Sequence, residues 1–461
     1  MAASSDPPLD DTNRSPRRSA WIASAIDVPT RSLLNADSQV FLHQSLSTPC
    51  LNVICAASGV EIQDLAGRRY LDLHGNNVHH IGYAHPRLIA ALKAQLDELT
   101  FSPRRYTNQV AVELAAALTT LTSGLLTKCL FAPSGNDAME IALRIARGVT
   151  GRHKTVGFWG AFHGAGIAAA SVGGEALFRA GPSAGPLLPG TNHVPPPTCY
   201  RCPYGGGARN GCCLLAPRAI RHVLEQEGDV AAVVVEPVRG AEYVPPPTFW
   251  QEVRRACDEF GALLIFDEVQ TGLGKTGRMF AFEHYSVVPD ILVLGKALGG
   301  GVLPLAAVLT RERFDRFGDI SIGHYTHEKN PLLARAGLMT VEIIRDEGLV
   351  DRAADLGARA LTLARELAAR HHLVGDVRGL GLQLGIELVR DRLTREPARD
   401  EAEEVLYLGL ERGLSFKLSN GCILALSAPL VITAEQLERV FAILDECLTL
   451  VERRPTHPAG A

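Results

Sequence analysis

Residues 263–270 read LLIFDEVQ and residues 291–301 read ILVLGKALGGG. Each stretch is an apolar run typical of a buried strand in a parallel sheet, and each run leads into a charged residue, Asp267 or Lys296. An aspartate at the end of a strand is by itself usually a turn or cap residue. A lysine between an apolar strand and three glycines is different, because lysine is rarely buried without a partner or a chemical role. Together the two stretches predict a sheet that carries both side chains at strand ends.

A lysine and a carboxylate on one sheet edge suit the cofactor pyridoxal 5′-phosphate (PLP). The amine of Lys296 would form a Schiff base with the cofactor aldehyde. The carboxylate of Asp267 would keep the pyridine nitrogen protonated, so that the ring could hold negative charge. The pair therefore predicts a PLP enzyme.

Strands and helices alternate through the middle of the chain, as in a parallel sheet covered by helices on both faces. The predicted strands are residues 128–132, 155–159, 231–236, 263–267 and 291–294, and the predicted helices include residues 136–148 and 249–260. Towards the C-terminus, helices at 331–346 and 349–370, a turn at 374–379 and a strand at 380–389 indicate a smaller α+β lobe. The fold class is therefore α/β.

We expect four parts of the chain. They are a disordered N-terminal arm (1–32), an N-terminal segment that joins the small domain (33–69), a large PLP-binding domain (70–322) and a C-terminal small domain (323–461). An irregular insert rich in Gly and Pro, at 181–211, is too long for a simple connector and is predicted to be functional.

The composition is that of a globular protein with a large core: 461 residues, 46% hydrophobic and 21% charged, with a net charge of −4. The small negative charge gives no general attraction to nucleic acid or to an acidic membrane. No apolar run reaches the roughly 18 residues of a membrane span. Arg17 and Arg18 precede only a short apolar patch, so an export signal is not favoured and we expect a cytoplasmic protein.

Four of the ten cysteines, Cys199, Cys202, Cys212 and Cys213, cluster in or beside the insert. A Cys-x-x-Cys followed by a Cys-Cys could hold zinc. The alternative, which we favour, is reduced thiols in a surface loop. No metal site is predicted.

Two further segments follow predicted strands and add groups that a PLP site needs. Residues 134–140 read SGNDAME and open a helix, where free backbone N–H groups bind phosphate and Gly135 permits close approach. The alternative is a helix N-cap by Ser134 or Asn136. Residues 159–164 read WGAFHG, in which an aromatic side chain could stack on the ring or lie in the core.

With these motifs the chain resembles the class-III aminotransferases, fold-type-I PLP enzymes that include ornithine, acetylornithine and 4-aminobutyrate aminotransferases. The similarity runs from about residue 60 to about residue 450, and the DEVQTG signature with its downstream lysine is highly specific. The resemblance implies the PLP-dependent transferase fold of type I, in which a large domain with a mainly parallel sheet between helices is joined to a smaller α+β domain.

The resemblance also implies the roles of single residues. Lys296 and Asp267 are the catalytic pair. The cofactor-binding set also contains Ser134, Gly135 and Asn136 at the phosphate, Phe162 on the ring, Gln270 near the ring hydroxyl, and His163 and Glu236. Residues 323–331 read GHYTHEKNP and match a family segment ending in Asn-Pro, whose threonine reaches the phosphate of the neighbouring subunit. Thr326 takes that role, and active sites shared in this way imply a homodimer.

Two departures from the family concern the amino acceptor. Ornithine-type members carry Glu after Glu-Pro-x-x-Gly and Arg before the C-terminal Pro-Leu, and this Arg can bind the α-carboxylate of a 2-oxo acid. Here residues 236–241 read EPVRGA and residues 424–430 read LALSAPL, so that both positions hold Ala. A planar two-pronged carboxylate site needs Arg. The 2-oxo acid clamp is therefore predicted to be absent.

Positive charges appear at other positions. Arg239 stands where relatives usually have Gln, Arg104 and Arg105 lie in a segment that borders the active site in the family, and Lys417 precedes the C-terminal strand. Several cations near one pocket would suit a phosphonate or a phosphate, so these four are the predicted substrate residues. The alternative for each is a solvated surface charge.

Some segments resemble one subgroup more closely, the (R)-1-hydroxy-2-aminoethylphosphonate ammonia-lyases of phosphonate catabolism. These segments are SPRRYTN (102–108), GGEALFR (173–179), YTHEKNP (325–331) and GLSFK (413–417). Gln270 and Ala161 look more like ordinary transaminases. The predicted function is an ammonia-lyase that gives phosphonoacetaldehyde and ammonia. The alternatives are a transaminase of a primary amine or ω-amino acid and, from another class, a non-catalytic PLP-binding regulator, for which the chain shows no helix-turn-helix pattern.

Overall fold

The computed structural model describes residues 15–454 except residues 46, 180, 182, 183 and 206–213. Its strands are β1 (Ile54–Ser58), β2 (Glu61–Asp64), β3 (Arg69–Asp72), β4 (Lys128–Ala132), β5 (Lys154–Phe158), β6 (Thr191–Val194), β7 (Val230–Val235), β8 (Leu263–Asp267), β9 (Ile291–Leu294), β10 (Ala306–Thr310), β11 (Val374–Leu380), β12 (Gln383–Asp391), β13 (Glu396–Pro397), β14 (Leu414–Ser415), β15 (Lys417–Ser419) and β16 (Ile423–Ser427). Its α-helices are α1 (Pro16–Ala25), α2 (Val28–Val40), α3 (Pro86–Glu98), α4 (Gln109–Leu121), α5 (Gly135–Thr150), α6 (Ile167–Val172), α7 (Leu215–Glu227), α8 (Pro247–Phe260), α9 (Pro331–Asp346), α10 (Leu349–Arg370), α11 (Arg399–Glu411) and α12 (Ala434–Glu452).

The strands form a large sheet and two smaller ones. The large sheet has the strand order β4-β10-β9-β8-β7-β5-β6, and β10 runs against its neighbours while the remaining strands are parallel to one another. One smaller sheet has the order β1-β2-β3-β14, and the other has the order β11-β12-β16-β15 with β13 beside β12. The α/β class is therefore confirmed.

The central strands of the large sheet are buried on both faces, which explains why they read as unbroken apolar runs. Alternate residues of β8 enter two different clusters: Leu264 and Phe266 pack on the side of α8, and Ile265 packs on the side of α5. Each helix covers one face with its own apolar side. This layering fixes the register, because a slip of one residue would exchange the two faces.

The carboxyl ends of neighbouring parallel strands meet at one edge of the large sheet. Asp267 is the last residue of β8, Glu236 follows β7, and Lys296 lies two residues beyond the end of β9. Because Val235 pairs with Phe266 and Asp267 with Val293, the topology places the three side chains together. The sheet edge is the place where ligands bind in open parallel folds.

Several local predictions need correction. The predicted turn at 374–379 is strand β11, and the tight hairpin turn falls instead at Gly381, whose φ of +58° suits glycine. The strand predicted at 380–389 accordingly begins at Gln383 as β12. The insert at 181–211 is not irregular throughout, because it contributes β6, parallel to β5.

The prediction of a disordered arm is wrong for residues 16–32, which lie in α1 and α2 and the short link between them. Proline near the start of each helix and the caps Ser15 and Asp27 favour helix formation. Trp21 packs against Tyr407 of α11 with ring centroids 6.0 Å apart and is 4% exposed, so burial of one aromatic side chain anchors α1. Residues 1–14 lie outside the described residues. The division into domains stays a prediction.

None of the described helices combines the length and the apolar character that crossing a membrane requires.

Candidate active site

A cavity of about 220 Å³ lies at the carboxyl edge of the large sheet. Its lining includes all the predicted cofactor-binding residues except Ser134 and Thr326, namely Gly135, Asn136, Phe162, His163, Glu236, Asp267, Gln270 and Lys296. The structure thus brings together residues from β8, α5 and the loops that follow the strands, and we call this space the ring cavity.

Asp267 is held by two hydrogen bonds. Its Oδ2 lies 2.8 Å from Nδ1 of His163, and its Oδ1 accepts a hydrogen bond of 3.0 Å from the backbone N–H of Val269. An ionised carboxylate can only accept, so Nδ1 of His163 carries the hydrogen. Both side chains are buried, with Asp267 6% and His163 4% exposed. The arrangement fixes the carboxylate at the cavity wall.

Lys296 occupies a strained backbone position at the start of a short 3-10 turn, Lys296–Gly299, with a φ of +44°. A non-glycine residue in this left-handed region is uncommon and marks a functional constraint. Burial lowers the pKa of the Lys296 amine to about 8, although Asp267 and Glu236 oppose this and Lys417 adds to it by like-charge repulsion. Roughly a tenth of the amine is therefore uncharged at pH 7, far more than for an ordinary lysine, and this uncharged form can act as a nucleophile or base.

The start of α5 lies at the end of the site where a phosphate group would bind. Ser134 caps the helix, since its Oγ accepts from the backbone N–H of Asp137 at 3.2 Å. Ser134 and Gly135 line a neighbouring cavity of about 330 Å³ that also reaches Lys296. The Oδ1 of Asn136 accepts from the backbone N–H of Gly166 at 2.7 Å, so this side chain holds the loop that carries Phe162. The helix start offers free N–H groups and a positive dipole end to an anion.

The remaining ring-cavity residues come from loops. Phe162 is half-buried and packs on Phe178 with ring centroids 4.4 Å apart. Gln270 follows β8, and its Oε1 lies 3.5 Å from Nδ2 of Asn77. Asn77 was not predicted as a site residue.

Glu236 is a buried acid, 3% exposed, with an Oε2 that has no hydrogen-bond partner among the described residues. Burial raises the pKa of Glu236 to about 7, Arg239 opposes this, and Asp267 adds to it. Arg239 offsets only part of the effect of burial on the pKa of Glu236, because its guanidinium also interacts with other carboxylates.

These residues fit PLP. Two buried polar atoms at the cavity wall, Nε2 of His163 and Oε2 of Glu236, have no hydrogen-bond partner within the described chain and suit the polar edge of a pyridine ring. A carboxylate, an amine and a helix start with a glycine at its first position suit the ring nitrogen, the aldehyde and the phosphate respectively. At Gly135 an added Cβ would come within 3.3 Å of Val269, so the absence of a side chain keeps this end of the cavity open.

A larger cavity of about 520 Å³ continues from the ring cavity and shares Phe162, Gln270 and Lys296 with it. We call it the substrate cavity. Its wall carries two of the predicted substrate residues, Arg239 and Lys417, together with Ala241 and Ala425.

Arg239 is not a free cation in this cavity. Its guanidinium lies 3.2 Å from Glu242, 3.7 Å from Glu175 and 3.8 Å from Glu236, and it donates to the backbone oxygen of Gly160. Burial alone would lower the pKa of Arg239, but the surrounding carboxylates outweigh it and raise the pKa. Arg239 therefore organises a cluster of carboxylates at the cavity wall.

Three predicted site residues lie elsewhere. Arg104 and Arg105 are exposed and line neither cavity, and Nε of Arg104 lies 4.0 Å from Glu328. Thr326 is also exposed in a turn and lines neither cavity.

The cysteine cluster shows no metal site in the part of the chain that the structure describes, where no three potential ligands come together. Cys199 and Cys202 belong to that part, whereas Cys212 and Cys213 lie outside the described residues.

Sequence reasoning missed the turn at residues 74–77, which lines the substrate cavity with His74, Asn76 and Asn77. The signal was present, since Gly-Asn-Asn is a sequence that tolerates left-handed backbone conformations. It also missed Glu175 and Glu242, because nothing local distinguishes them from solvated surface acids.

Comparison with known proteins gives a consistent result. The chain matches the aminotransferase class-III family over residues 43–448. It is 40% identical over 455 residues to the (R)-1-hydroxy-2-aminoethylphosphonate ammonia-lyase of Vibrio splendidus, with 96% of this chain and 95% of that protein covered. It is 35% identical to the leucine/methionine racemase of Thermococcus litoralis, with 90% and 94% covered. Among solved structures, a PLP-bound amine transaminase from an uncultivated Pseudomonas species superposes with a TM-score of 0.84 at 30% identity, with 89% and 99% covered.

Proposed function

Because the chain belongs to the class-III aminotransferase family and its cofactor is PLP, we propose that it is an ammonia-lyase. The proposed substrate is (R)-1-hydroxy-2-aminoethylphosphonate, and the products are phosphonoacetaldehyde and ammonia. Support comes from the 40% identical relative of that name and from one feature of the substrate cavity, the position of Lys417.

Lys417 lies opposite Ala425 in the antiparallel pair of β15 and β16. Side chains of such partners lie on the same face with Cβ atoms about 5 Å apart. Ala425 lies in the segment where ornithine-type relatives carry the carboxylate-binding arginine, and Ala241 stands for its glutamate partner. In this chain a cation therefore lies on β15, next to the strand that carries the arginine in those relatives. The space left by two small side chains opens the cavity around a lysine.

The charge of Lys417 is available to a ligand. Within the described chain it forms no ion pair, whereas Arg239 is surrounded by carboxylates. A lysine ammonium is a compact point charge that suits a phosphonate, while a 2-oxo acid carboxylate is better bound by a planar guanidinium. Lys417 and Lys296 line the same cavity, so a substrate with an amine at one end and a phosphonate at the other could reach both.

When bound, PLP supplies an aldehyde for the substrate amine and a ring that delocalises negative charge. The residues of the chain then have separate tasks. Asp267, oriented by His163, keeps a negative charge at the ring nitrogen. Lys296, whose pKa is about 8, takes the proton from the carbon that carries nitrogen. Lys417 holds the phosphonate, so that the carbon bearing the hydroxyl lies between the two lysines.

The reaction needs no second amino acceptor. Removal of the proton and departure of the neighbouring hydroxyl leave an enamine, which water converts to the aldehyde and ammonia. An enzyme of this kind has no use for a 2-oxo acid clamp, in agreement with alanine at both clamp positions.

The experiment is ammonia release by the PLP-loaded protein from the hydroxylated substrate in the absence of any 2-oxo acid. We expect catalytic release, its loss in Lys296→Ala, and a KM at least tenfold higher in Lys417→Met. Lys93→Met, which alters an exposed lysine of α3, is the matched control and should behave as wild type.

The second candidate is a transaminase of a primary amine or an ω-amino acid, favoured by the close superposition on an amine transaminase. It would share every step up to proton removal and then return a proton elsewhere. For a transaminase, no ammonia would be released in the absence of pyruvate or 2-oxoglutarate. One keto acid would instead be consumed for each amine converted, and this result would establish the transaminase and exclude the lyase.

We also propose that the protein is a homodimer with shared sites. Support comes from the exposure of Thr326, which lines neither cavity of its own chain, and from the family segment in which it lies. A mixture of Lys296→Ala and Thr326→Ala proteins, unfolded and refolded together, should regain activity above either variant alone, because one site of each mixed dimer would be intact. No gain would exclude a shared site. The cytoplasmic location stays a prediction.

A further inference from the structure

Residues 74–77 form a strained turn on the wall of the substrate cavity. Gly75, Asn76 and Asn77 have φ values of +44°, +46° and +60°, so three consecutive residues lie in the left-handed region. Such conformations persist only where the surroundings impose them, and they cluster at functional sites. The turn presents His74 to the cavity.

Asp72, the last residue of β3, stabilises the turn through hydrogen bonds. One carboxylate oxygen accepts from the backbone N–H groups of His74 and Gly75 at 3.0 and 3.2 Å, and the other accepts from the hydroxyl of Tyr83 at 2.7 Å. Asp72 is 4% exposed. At the other end, Oδ1 of Asn77 accepts from the hydroxyl of Ser427. These contacts therefore fix the backbone of the turn that carries His74.

His74 shares the substrate cavity with both lysines of the proposed function. Its charged neighbours are Lys417 from β15, Lys296 after β9 and Asp72 beneath the turn, while the nearby His79 is buried with a pKa lowered to about 4 and is therefore neutral. Around the same cavity lie Arg239, Glu175 and Glu242, a cluster in which one guanidinium pairs with two carboxylates. If the amine end of a substrate is at Lys296 and its phosphonate at Lys417, the hydroxyl-bearing carbon lies between them, in the cavity that His74 also lines.

We propose that His74 is a catalytic residue that donates a proton to the substrate hydroxyl as this group leaves. The assignment rests on the proposed lyase function. In the step, Lys296 takes the proton from the carbon that carries nitrogen, and the electron pair of that C–H bond forms the carbon–carbon double bond. The C–O bond breaks with its pair on oxygen, and the proton of the imidazolium completes a water molecule. Solvent then returns a proton to the imidazole.

The charges around His74 make this acid dependent on the substrate. Burial lowers the pKa of His74, Asp72 opposes this, and Lys417 and Lys296 add to it, so the ring is mainly neutral in the empty cavity. A phosphonate at Lys417 brings negative charge and neutralises that lysine, which favours the imidazolium. The acid is thus formed when the substrate is in place.

The test compares His74→Asn with wild type on two substrates, the hydroxyl compound and its 1-chloro analogue. Chloride needs no proton to leave. We expect kcat to fall by roughly 10²- to 10⁴-fold on the hydroxyl substrate, the range for loss of a general acid, and by less than about threefold on the chloro analogue. His222→Asn is the control, because His222 is an exposed residue of α7 that does not line the substrate cavity.

Equal losses on both substrates would show that His74 only supports the turn, and no loss on either would exclude any catalytic part. A wild-type protein inactive on both substrates would overturn the lyase function itself, and the role of His74 with it.

A second measurement does not depend on turnover. The His74 ring is titrated by NMR in the PLP-free protein with and without methylphosphonate. We expect its pKa to rise by about one unit with methylphosphonate, and to rise much less in Lys417→Met. A pKa that methylphosphonate does not change would overturn the proposal that the substrate creates the acid.

Discussion

Nδ1 of His163 lies 2.8 Å from Oδ2 of Asp267, although 104 positions separate the two residues in the chain. His163 belongs to the loop after β5, and Asp267 is the last residue of β8. Both residues are buried, and within the described chain the carboxylate has only one further hydrogen bond, from the backbone N–H of Val269. The orientation of Asp267 therefore depends on His163. The pair is therefore a single support for the ring of the cofactor.

Replacement of His163 by phenylalanine should weaken PLP binding. The variant keeps an aromatic ring, but the charged carboxylate of Asp267 loses the hydrogen bond that it accepts from His163. A hydrogen bond that involves a charged group is worth about 1.5–3 kcal/mol. We expect the dissociation constant for PLP, measured by equilibrium dialysis, to rise roughly 10- to 100-fold, as this energy implies. His222→Phe should leave it unchanged, and an unchanged constant in His163→Phe would contradict the support role.

The rate of PLP loading should depend on pH through Lys296. Only the uncharged amine reacts, and its pKa is lowered to about 8, so the rate should rise with pH and level off above about 8 rather than near the ordinary lysine value. Lys417 contributes to this lowering by repulsion. Lys417→Met should therefore move the midpoint to higher pH, while Lys93→Met should not. Stopped-flow absorbance of the cofactor-free protein mixed with PLP measures this, and a midpoint unaffected by Lys417→Met would contradict the coupling.

Glu236 should destabilise the fold as the pH rises. Its folded pKa is about 7, above its ordinary value, so the folded protein binds a proton that the unfolded chain has lost. The stability that protonation contributes is complete below the unfolded pKa and is lost as the pH rises through the folded value, by up to about 1.4 kcal/mol per pH unit.

The variant Glu236→Gln removes this titration. In urea unfolding of the cofactor-free protein at pH 5, 6, 7 and 8, the variant should gain stability over wild type up to about pH 7 and no further. Glu225→Gln, at an exposed position of α7, should show a constant difference. If the difference in stability between Glu236→Gln and wild type were also independent of pH, Glu236 would not titrate in this range, and Arg239 would keep the acid ionised.

Arginine at position 425 should change the preference for acceptors. Ala425→Arg combined with Ala241→Glu supplies a guanidinium and its partner on the wall of the substrate cavity. We expect the double variant to bind 2-oxoglutarate at least tenfold more tightly, because a bidentate pair fits a carboxylate. It should also lose affinity for the phosphonate, because Ala241→Glu adds a negative charge to the cavity wall and the larger side chain at position 425 takes up space beside Lys417. Isothermal titration with both ligands measures this, with Ala425→Lys as the comparison that adds charge without a planar fork.

The sequence determined the elements whose signals are local. The apolar runs of β8 and β9 with their terminal Asp267 and Lys296 follow from hydrophobic pattern alone, and α9 and α10 have the predicted bounds because Pro331 and Gly348 mark their starts. Hydrophobic pattern repeats within a few residues, so it can be read without the fold. Strand β11 was missed because its glycines suggested a turn, although neither Gly375 nor Gly379 has a positive φ.

Only the tertiary structure decided which charges act together. Arg239, Arg104 and Lys417 look alike as isolated cations in the sequence. The fold surrounds Arg239 with three carboxylates, leaves Arg104 exposed, and directs Lys417 into a cavity with Lys296 and His74. Electrostatic interactions depend on distance and burial, and residues far apart in the chain set both. For this reason the sequence could identify the cofactor site, while the wall of the substrate cavity required the fold.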